Sequence, residues 1–202
     1  MKTRSMRALF ALMSIFLAAR VFAANPYLDA KDDKPMRADC RGTEWGDEIG
    51  EDIPLAARMI TTRIAQMPWG AVFKIEFVDL KSRAKQKREI RPQYFITTDE
   101  RIYLLNEENN EAAAAKLSGM TEPSHFAQSD IRAIVSGKME FQDGAYATKI
   151  DIKGSECTYL SSHDSGHYSK FVWKKGAGLV EYGSNYGAMK DGCRLKRVAL
   201  KK

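Results

Sequence analysis

Apolar and polar positions alternate in two different ways along this chain, and one segment has the period of a helix. In residues 54–67, "PLAARMITTRIAQM", one helical face would carry Leu55, Met59, Ile60, Ile64 and Met67. Pro54 suits a first helical position, and Pro68 would end the helix. A second helix, with a single large apolar residue, is predicted at residues 106–117. We therefore expect one main helix with a buried stripe.

Most of the remaining chain alternates with the period of a β-strand. Phe73, Ile75 and Phe77 alternate with charged residues, and "YATKIDIK" at residues 146–153 alternates in the same way. The strands follow one another without intervening helices, which argues against a parallel sheet. The pattern predicts an α+β fold in which a curved, mostly antiparallel, half-barrel-like sheet packs on the main helix.

A basic segment follows the first of these strands. In "KSRAKQKRE", residues 81–89, basic side chains occupy alternate positions: Lys81, Arg83, Lys85 and Lys87. A continuous strand would point them to the same face as Phe73, so the chain must break, bulge or turn near Asp79 or Leu80. The segment is either a solvated loop or a patch for an anionic partner, such as lipopolysaccharide phosphate, peptidoglycan carboxylate or an acidic protein. No aromatic residues interleave with the charges, so stacking with single-stranded nucleic acid is not indicated.

The N-terminus has the pattern of a secretory signal peptide. Lys2, Arg4 and Arg7 precede an apolar run over residues 8–19, and small residues lead to a cut between Ala23 and Ala24. The run is too short to span a membrane, and no later segment approaches that length. We expect a periplasmic or secreted protein without a transmembrane segment after cleavage.

Removal of the signal peptide changes the charge of the protein. The chain carries a net charge of +6, of which Lys2, Arg4, Arg7 and Arg20 supply four, so the mature chain carries +2. A nucleic-acid partner is therefore not expected. No linker or repeat divides the mature chain, which predicts a polar leader at residues 24–45 followed by a single domain at residues 46–202.

Cysteine and histidine residues offer two further possibilities. Export makes a disulfide plausible, and Cys40, Cys157 and Cys193 allow three pairings that the sequence does not distinguish. His163 and His167 lie four residues apart and, with Cys157 and Cys193, could ligate zinc. The alternative is a polar hairpin loop, for which the Ser, Asp and Gly residues between them are suited.

Catalytic motifs give little support to an enzyme. The chain has no G-x-S-x-G motif and no phosphate-binding glycine loop before a helix, and its S-x-x-K match at residues 82–85 lies in the charged segment. We expect no catalytic residues and no cofactor.

The C-terminal part carries a resemblance. Residues 171–188, "FVWKKGAGLVEYGSNYGA", together with residues 94–105, "YFITTDERIYLL", resemble small exported bacterial proteins of unknown function whose last strands form a W-K-x-G-x-G-L-V-x-Y hairpin and a Y-G-A turn. Similar hairpins occur in periplasmic half-barrels of the lipoprotein-carrier type. The resemblance implies export and a curved antiparallel sheet, and it brings no catalytic residues with it.

These observations favour a non-catalytic exported binding protein that recognises a protein or an anionic envelope component; inhibitors and immunity proteins are one subclass. The candidate partner-binding residues are Lys81, Arg83, Lys85, Lys87, Lys174, Lys175, Asn185 and Tyr186. One alternative is a carrier of a lipid or small apolar ligand. Another is a metal-binding protein or hydrolase that uses His163 and His167.

Overall fold

A computed structural model describes residues 25–28, 34–46, 52–84, 89–105, 131–187 and 191–199 of the chain. The predicted signal peptide, the predicted helix at 106–117, and Lys85 and Lys87 lie outside the described residues. Within them there is no α-helix. Accordingly, no described helix has the length and apolar character that crossing a membrane requires.

The described residues form twelve β-strands. In chain order they are β1 (Met36–Trp45), β2 (Ile53–Met67), β3 (Gly70–Ser82), β4 (Gln93–Thr97), β5 (Ile102–Leu105), β6 (Ile131–Val135), β7 (Met139–Asp143), β8 (Tyr146–Lys153), β9 (Glu156–His163), β10 (Tyr168–Lys174), β11 (Gly178–Tyr186) and β12 (Asp191–Arg197). Strand β1 lies inside the segment predicted as a polar leader, and its two neighbours in the sheet are β2 and β12.

All twelve strands belong to one antiparallel sheet in the order β6-β5-β4-β3-β2-β1-β12-β11-β10-β9-β8-β7. Consecutive strands are neighbours throughout, except that β1 pairs with β12 and β6 does not pair with β7. The pairing of the first and last strands curls the sheet into a nearly closed barrel. At the remaining gap, the Cys157 thiol on β9 lies 3.9 Å from the carbonyl oxygen of Ile134 on β6.

The predicted helix at residues 54–67 is wrong, because this segment is strand β2. Its inward positions are Leu55, Ala57, Met59 and Thr61, which are all buried, whereas Ile64 is 41% exposed. The segment therefore buries alternate residues and not a helical stripe. The α+β class and the half-barrel packed on a helix are corrected to a nearly all-β barrel, while the prediction of an antiparallel sheet is confirmed.

The irregularity predicted near Asp79 or Leu80 is present. Asp79 has a φ of +53°, and the register between β2 and β3 shifts at this point. A bulge of one residue reverses which side chains face inward. Leu80 therefore packs against the core, while Lys81 and Arg83 are exposed.

Large side chains fill the barrel interior. The ring of Phe95 on β4 meets Phe171 and Trp173 on β10 edge to face, with centroids 5.6 and 5.0 Å apart. Tyr159 and Tyr182 extend this cluster on either side of Phe171. A small space beside Cys40, lined also by Met59 and Phe77, is too small to hold a water molecule. In its described part the interior is thus a packed core.

Candidate functional site

The two ends of the barrel differ in the lengths of their connections. One end, called the lower end here, carries the short turns at 68–69, 98–101, 136–138, 154–155 and 175–177. The opposite end, called the upper end, carries the connections at 46–52, 83–92, 106–130, 144–145, 164–167 and 187–190. The three longest connections therefore all leave the upper end. Since binding residues concentrate on loops held by a rigid scaffold, the upper end is the candidate functional end.

The lower end is closed by the N-terminal segment 25–28. The Asn25 side chain donates hydrogen bonds to the carbonyl oxygens of Thr98, at 2.8 Å, and Arg101, at 3.1 Å. The Gly176 amide donates to the carbonyl oxygen of Pro26 at 2.8 Å. The segment thus joins the β4–β5 turn to the β10–β11 turn, and its Leu28 is 1% exposed.

The interior becomes polar towards the upper end. Thr148 and Ser161 are buried on the inward faces of β8 and β9, and their hydroxyls are 3.1 Å apart. The carboxylate of Glu44 is fully buried near the top of β1 and accepts a hydrogen bond from the Ser82 hydroxyl. The apolar core is thus followed by a polar layer, as beneath a surface that contacts water or a ligand.

Four rings at the upper end form a continuous row, called the ring arc here: Tyr146, His163, His167 and Tyr186. Their successive centroid distances are 5.1, 6.3 and 6.1 Å. Tyr146, His163 and Tyr186 lie at the upper ends of β8, β9 and β11, and His167 directly precedes β10; these four strands are neighbours in the sheet. Tyr146 shares its strand face with Thr148 and Ile150, so the arc continues the inward face of the barrel to its rim.

Ser165 links the two imidazoles of the arc. Its hydroxyl lies 2.7 Å from Nδ1 of His163 and 2.7 Å from Nδ1 of His167, and its backbone amide donates to Nδ1 of His163 at 3.0 Å. Nδ1 of His163 accepts a hydrogen bond from that amide, so this nitrogen carries no proton in the neutral ring. The Ser165 hydroxyl then donates to His163, and Nδ1–H of His167 donates to Ser165. It follows that Nε2 of His163 is a donor and Nε2 of His167 an acceptor.

The β9–β10 turn that carries Ser165 is held from the side by Asn185. Its amide donates to the carbonyl oxygen of Gly166 at 2.7 Å, and its Oδ1 accepts a hydrogen bond from the Trp45 indole at 2.8 Å. Beneath the turn, a Cβ at Gly187 would overlap the carbonyl oxygen of Ser165. The position therefore requires glycine, and the arc rests on a tightly packed support.

The structure brings some predicted site residues together and separates others. His163, His167, Asn185 and Tyr186 meet at the upper end, where Lys81 lies near the end of β3 and Arg83 begins the following connection. The lower end holds Lys174 and Lys175: Lys174 lies 3.5 Å from the carboxylate of Glu156, and Lys175 lies over the ring of Tyr27 at 5.6 Å. Both lysines thus contact the protein itself.

The predicted four-ligand zinc site is not formed. Among the described residues, no group of three or more His, Cys, Asp or Glu side chains is placed to hold a metal ion. The disulfide prediction also fails, because all three cysteines are free and buried: Cys40, Cys157 and Cys193. Burial raises the pKa of the Cys40 and Cys157 thiols to about 11, so neither is a thiolate at neutral pH.

Sequence reasoning missed Tyr146 and Ser165 as members of the site. Tyr146 reaches the arc only through the β8–β9 register, in which it pairs with His163. Ser165 was noted as a turn residue, although its place midway between two histidines four residues apart was a usable signal.

A second cluster missed by the sequence lies on the outer face of β10–β12. The buried Glu181 carboxylate accepts hydrogen bonds from Lys170 at 2.7 Å and Arg194 at 2.8 Å, and Lys196 lies 3.5 Å away. Burial alone would raise the pKa of Glu181, but the hydrogen bonds from Arg194 and Lys170 outweigh it and lower that pKa below its ordinary value. The cluster anchors three strands to one another.

No family model matches the chain, and no curated protein matches it significantly.

Proposed function

We propose that this protein is an exported, non-catalytic binding protein that recognises a partner through the upper end of its barrel. One observation carries the proposal: the ring arc is held in place at the end from which the longest connections leave. A preorganised surface loses little freedom on binding, which favours affinity. The signal peptide pattern at residues 1–23 supports the export.

The core gives less support to the alternative of a lipid carrier. A carrier needs an apolar cavity of several hundred Å³. In the described part of the interior, the space that such a cavity would need is filled by Trp173, Tyr159 and Phe95, which are essentially inaccessible to solvent. Binding at the rim needs no such cavity.

The hydrolase alternative would use Ser165 as a nucleophile with His163 as its base. The Ser165 hydroxyl also accepts a hydrogen bond from His167 and lies in a short turn, where it orients both imidazoles. We assign it that positioning role. Labelling of Ser165 by a fluorophosphonate probe, followed by mass spectrometry, distinguishes a nucleophilic serine from a positioning serine. A binding protein gives no stoichiometric label.

The proposed function is tested by capture from a cell-envelope extract. The mature chain is immobilised beside a rim variant, Tyr146→Ala with Tyr186→Ala, and a matched lower-end variant, Lys174→Glu with Lys175→Glu. A third variant, Lys81→Glu with Arg83→Glu, tests the basic segment. We expect the rim variant to lose the captured partner and the lower-end variant to keep it. If both variants capture the partner equally, the upper end is not the binding surface. An enzyme among the captured proteins would place this chain with the inhibitors.

A further inference from the structure

The ring arc also indicates what kind of partner the upper end takes, and this inference rests on the proposed function. We infer that the arc binds a linear, polyhydroxylated ligand, that is, a glycan chain of the cell envelope. The evidence is the shape of the arc, its exposure and its hydrogen-bonding groups.

The shape fits an extended ligand. Tyr146, His163 and Tyr186 lie at the upper ends of β8, β9 and β11, and His167 directly precedes β10, so the arc crosses three inter-strand steps of about 4.8 Å, or about 15 Å in all. A single metal ion or small amine would need side chains that converge on one point. Neighbouring rings of the arc are turned by 52°, 79° and 85°, so ring faces alternate with polar ring edges along the row. A sugar ring can lay its C–H face on one ring and direct a hydroxyl to the edge of the next.

The exposure of the arc points to a ligand rather than to a structural role. Among the described residues, only five large hydrophobic side chains are exposed, and two of them, Tyr146 at 38% and Tyr186 at 54%, lie at opposite ends of the arc. Aromatic side chains left in solvent at a preformed surface are characteristic of interaction sites. The two inner rings, His163 and His167, are half-buried and held by Ser165.

The hydrogen-bonding groups suit hydroxyls. In their neutral forms, the imidazoles present one donor, Nε2–H of His163, and one acceptor, Nε2 of His167, as the bonds to Ser165 require. Each tyrosine hydroxyl adds a group that both donates and accepts. Within the described residues, the ring contacts and hydrogen bonds of the four rings involve no lysine or arginine. The donors and acceptors at these ring edges match the hydroxyls of a sugar, each of which also both donates and accepts.

The direct test is a calorimetric titration of the mature protein with two probes, a linear hexamer of N-acetylglucosamine and enzymatically solubilised peptidoglycan glycan strands. We expect at least one of them to bind. Tyr146→Ala with Tyr186→Ala should weaken binding at least about tenfold, because two stacking surfaces are lost. Tyr146→Phe with Tyr186→Phe keeps the surfaces and should lose only a few-fold. The lower-end variant, Lys174→Glu with Lys175→Glu, should bind as the wild type does.

The imidazoles are tested separately. Ser165→Ala should weaken glycan binding while leaving the tyrosines in place. A long-range ¹H–¹⁵N spectrum should show that His167 loses its single tautomer, whereas His163 keeps its own because its Nδ1 still accepts a hydrogen bond from the backbone amide at position 165. The His163→Gln variant retains a hydrogen-bond donor and should bind the glycan more tightly than His163→Ala does. If alanine at either histidine leaves glycan affinity unchanged, the hydrogen-bonding part of the inference is overturned.

The outcomes separate this inference from the proposed function. If neither glycan binds at about 5 mM, while envelope capture still depends on Tyr146 and Tyr186, the partner is a protein and the glycan assignment is overturned. If Zn²⁺ binds tightly and His163→Ala abolishes that binding while neither glycan binds, the arc is a metal site instead. If a glycan binds at the arc but envelope capture does not depend on it, the glycan site stands and the proposed function fails.

Discussion

The Trp45 indole donates a 2.8 Å hydrogen bond to the side-chain oxygen of Asn185, a residue 140 positions later in the chain. The side-chain amide nitrogen of Asn185 in turn donates a hydrogen bond to the carbonyl oxygen of Gly166 at 2.7 Å. A side chain near the end of β11 therefore connects the end of β1 to the turn that carries Ser165. Through this connection, the position of the ring arc depends on the closure of the barrel between β1 and β12.

Replacement of Asn185 should loosen that turn. We expect Asn185→Ala to lower the free energy of unfolding by about 1–2 kcal/mol, because one partly buried and one exposed hydrogen bond are lost. Asn185→Asp keeps the acceptor for Trp45 but places a carboxylate oxygen against the Gly166 carbonyl. Urea unfolding measures both. As a control, Gln142→Ala removes an exposed bond to the Gly144 carbonyl and should cost less than about 0.5 kcal/mol. Equal costs at the two positions would contradict the connection.

Closure of the barrel should depend on Gly42. A Cβ at this position of β1 would overlap the carbonyl oxygen of Arg194 on β12, and neither backbone can yield without separating the strands. We expect Gly42→Ala to cost about 3 kcal/mol or more, measured by urea unfolding. Gly154→Ala is the matched control: its φ is +58° but no atom lies within 4 Å of the added Cβ, so only the conformational cost of about 1 kcal/mol applies. If Gly42→Ala lowers the free energy of unfolding by less than Gly154→Ala does, β1 and β12 are not packed as closely as the overlap at Gly42 indicates.

The error in β2 has a physical explanation. Alternation is present at Leu55, Ala57, Met59 and Thr61, but two of these inward residues are small or polar, and they do not look like core residues in the sequence. Meanwhile Ile64, a large apolar residue, lies at a register shift and is 41% exposed. A bulge breaks a period of two, and the resulting spacing imitates a helix. The β-branched run at 60–62 was the signal for a strand.

The predictions that succeeded depended on local constraints. The change of face near Asp79 follows from parity alone, because charged side chains cannot continue the inward row of Phe73, Ile75 and Phe77. The polar hairpin loop between His163 and His167, which was the alternative to a zinc site, also follows from local turn residues. By contrast, the addition of Tyr146 depends on pairing between strands, and the support from Trp45 depends on closure of the whole sheet, which no local pattern encodes.

The bulge at Asp79 gives a prediction of its own. Aspartate tolerates a φ of +53°, whereas a β-branched residue does not. We expect Asp79→Val to lower the free energy of unfolding by about 2 kcal/mol. The control is Asp39→Val, because Asp39 also pairs with Arg58, at 3.8 Å, and an exposed ion pair contributes less than about 1 kcal/mol. If the two valine variants unfold alike, the cost arises from the lost ion pair and not from the backbone.

The cysteines should be inert in the native protein. All three are buried and free, and burial raises the pKa of Cys40 and Cys157 to about 11. We expect a thiol reagent such as Ellman's reagent to modify the native protein only at the rate of unfolding, and to modify three thiols in denaturant. Non-reducing mass spectrometry of the native protein provides the complementary measurement. A mass two protons lighter would show a disulfide and contradict the buried free thiols.

The last prediction concerns acid stability and Glu181. The folded-state pKa of this carboxyl is below its ordinary value of 4.5, because Arg194 and Lys170 outweigh the effect of burial. A lowered folded-state pKa means that the unfolded chain binds the proton more readily, so the stabilisation is complete above pH 4.5 and is lost as the pH falls through the folded-state value.

Glu181→Gln should therefore cost about 2 kcal/mol at pH 7, since it leaves Lys170, Arg194 and Lys196 without their shared carboxylate, and the cost should shrink towards pH 3. Urea unfolding of both proteins across this range measures the difference. Glu156→Gln, at an exposed pair with Lys174, is the control and should cost little at any pH. A cost at Glu181 that stays constant or grows on acidification would show that the carboxylate is not stabilised by its three cations.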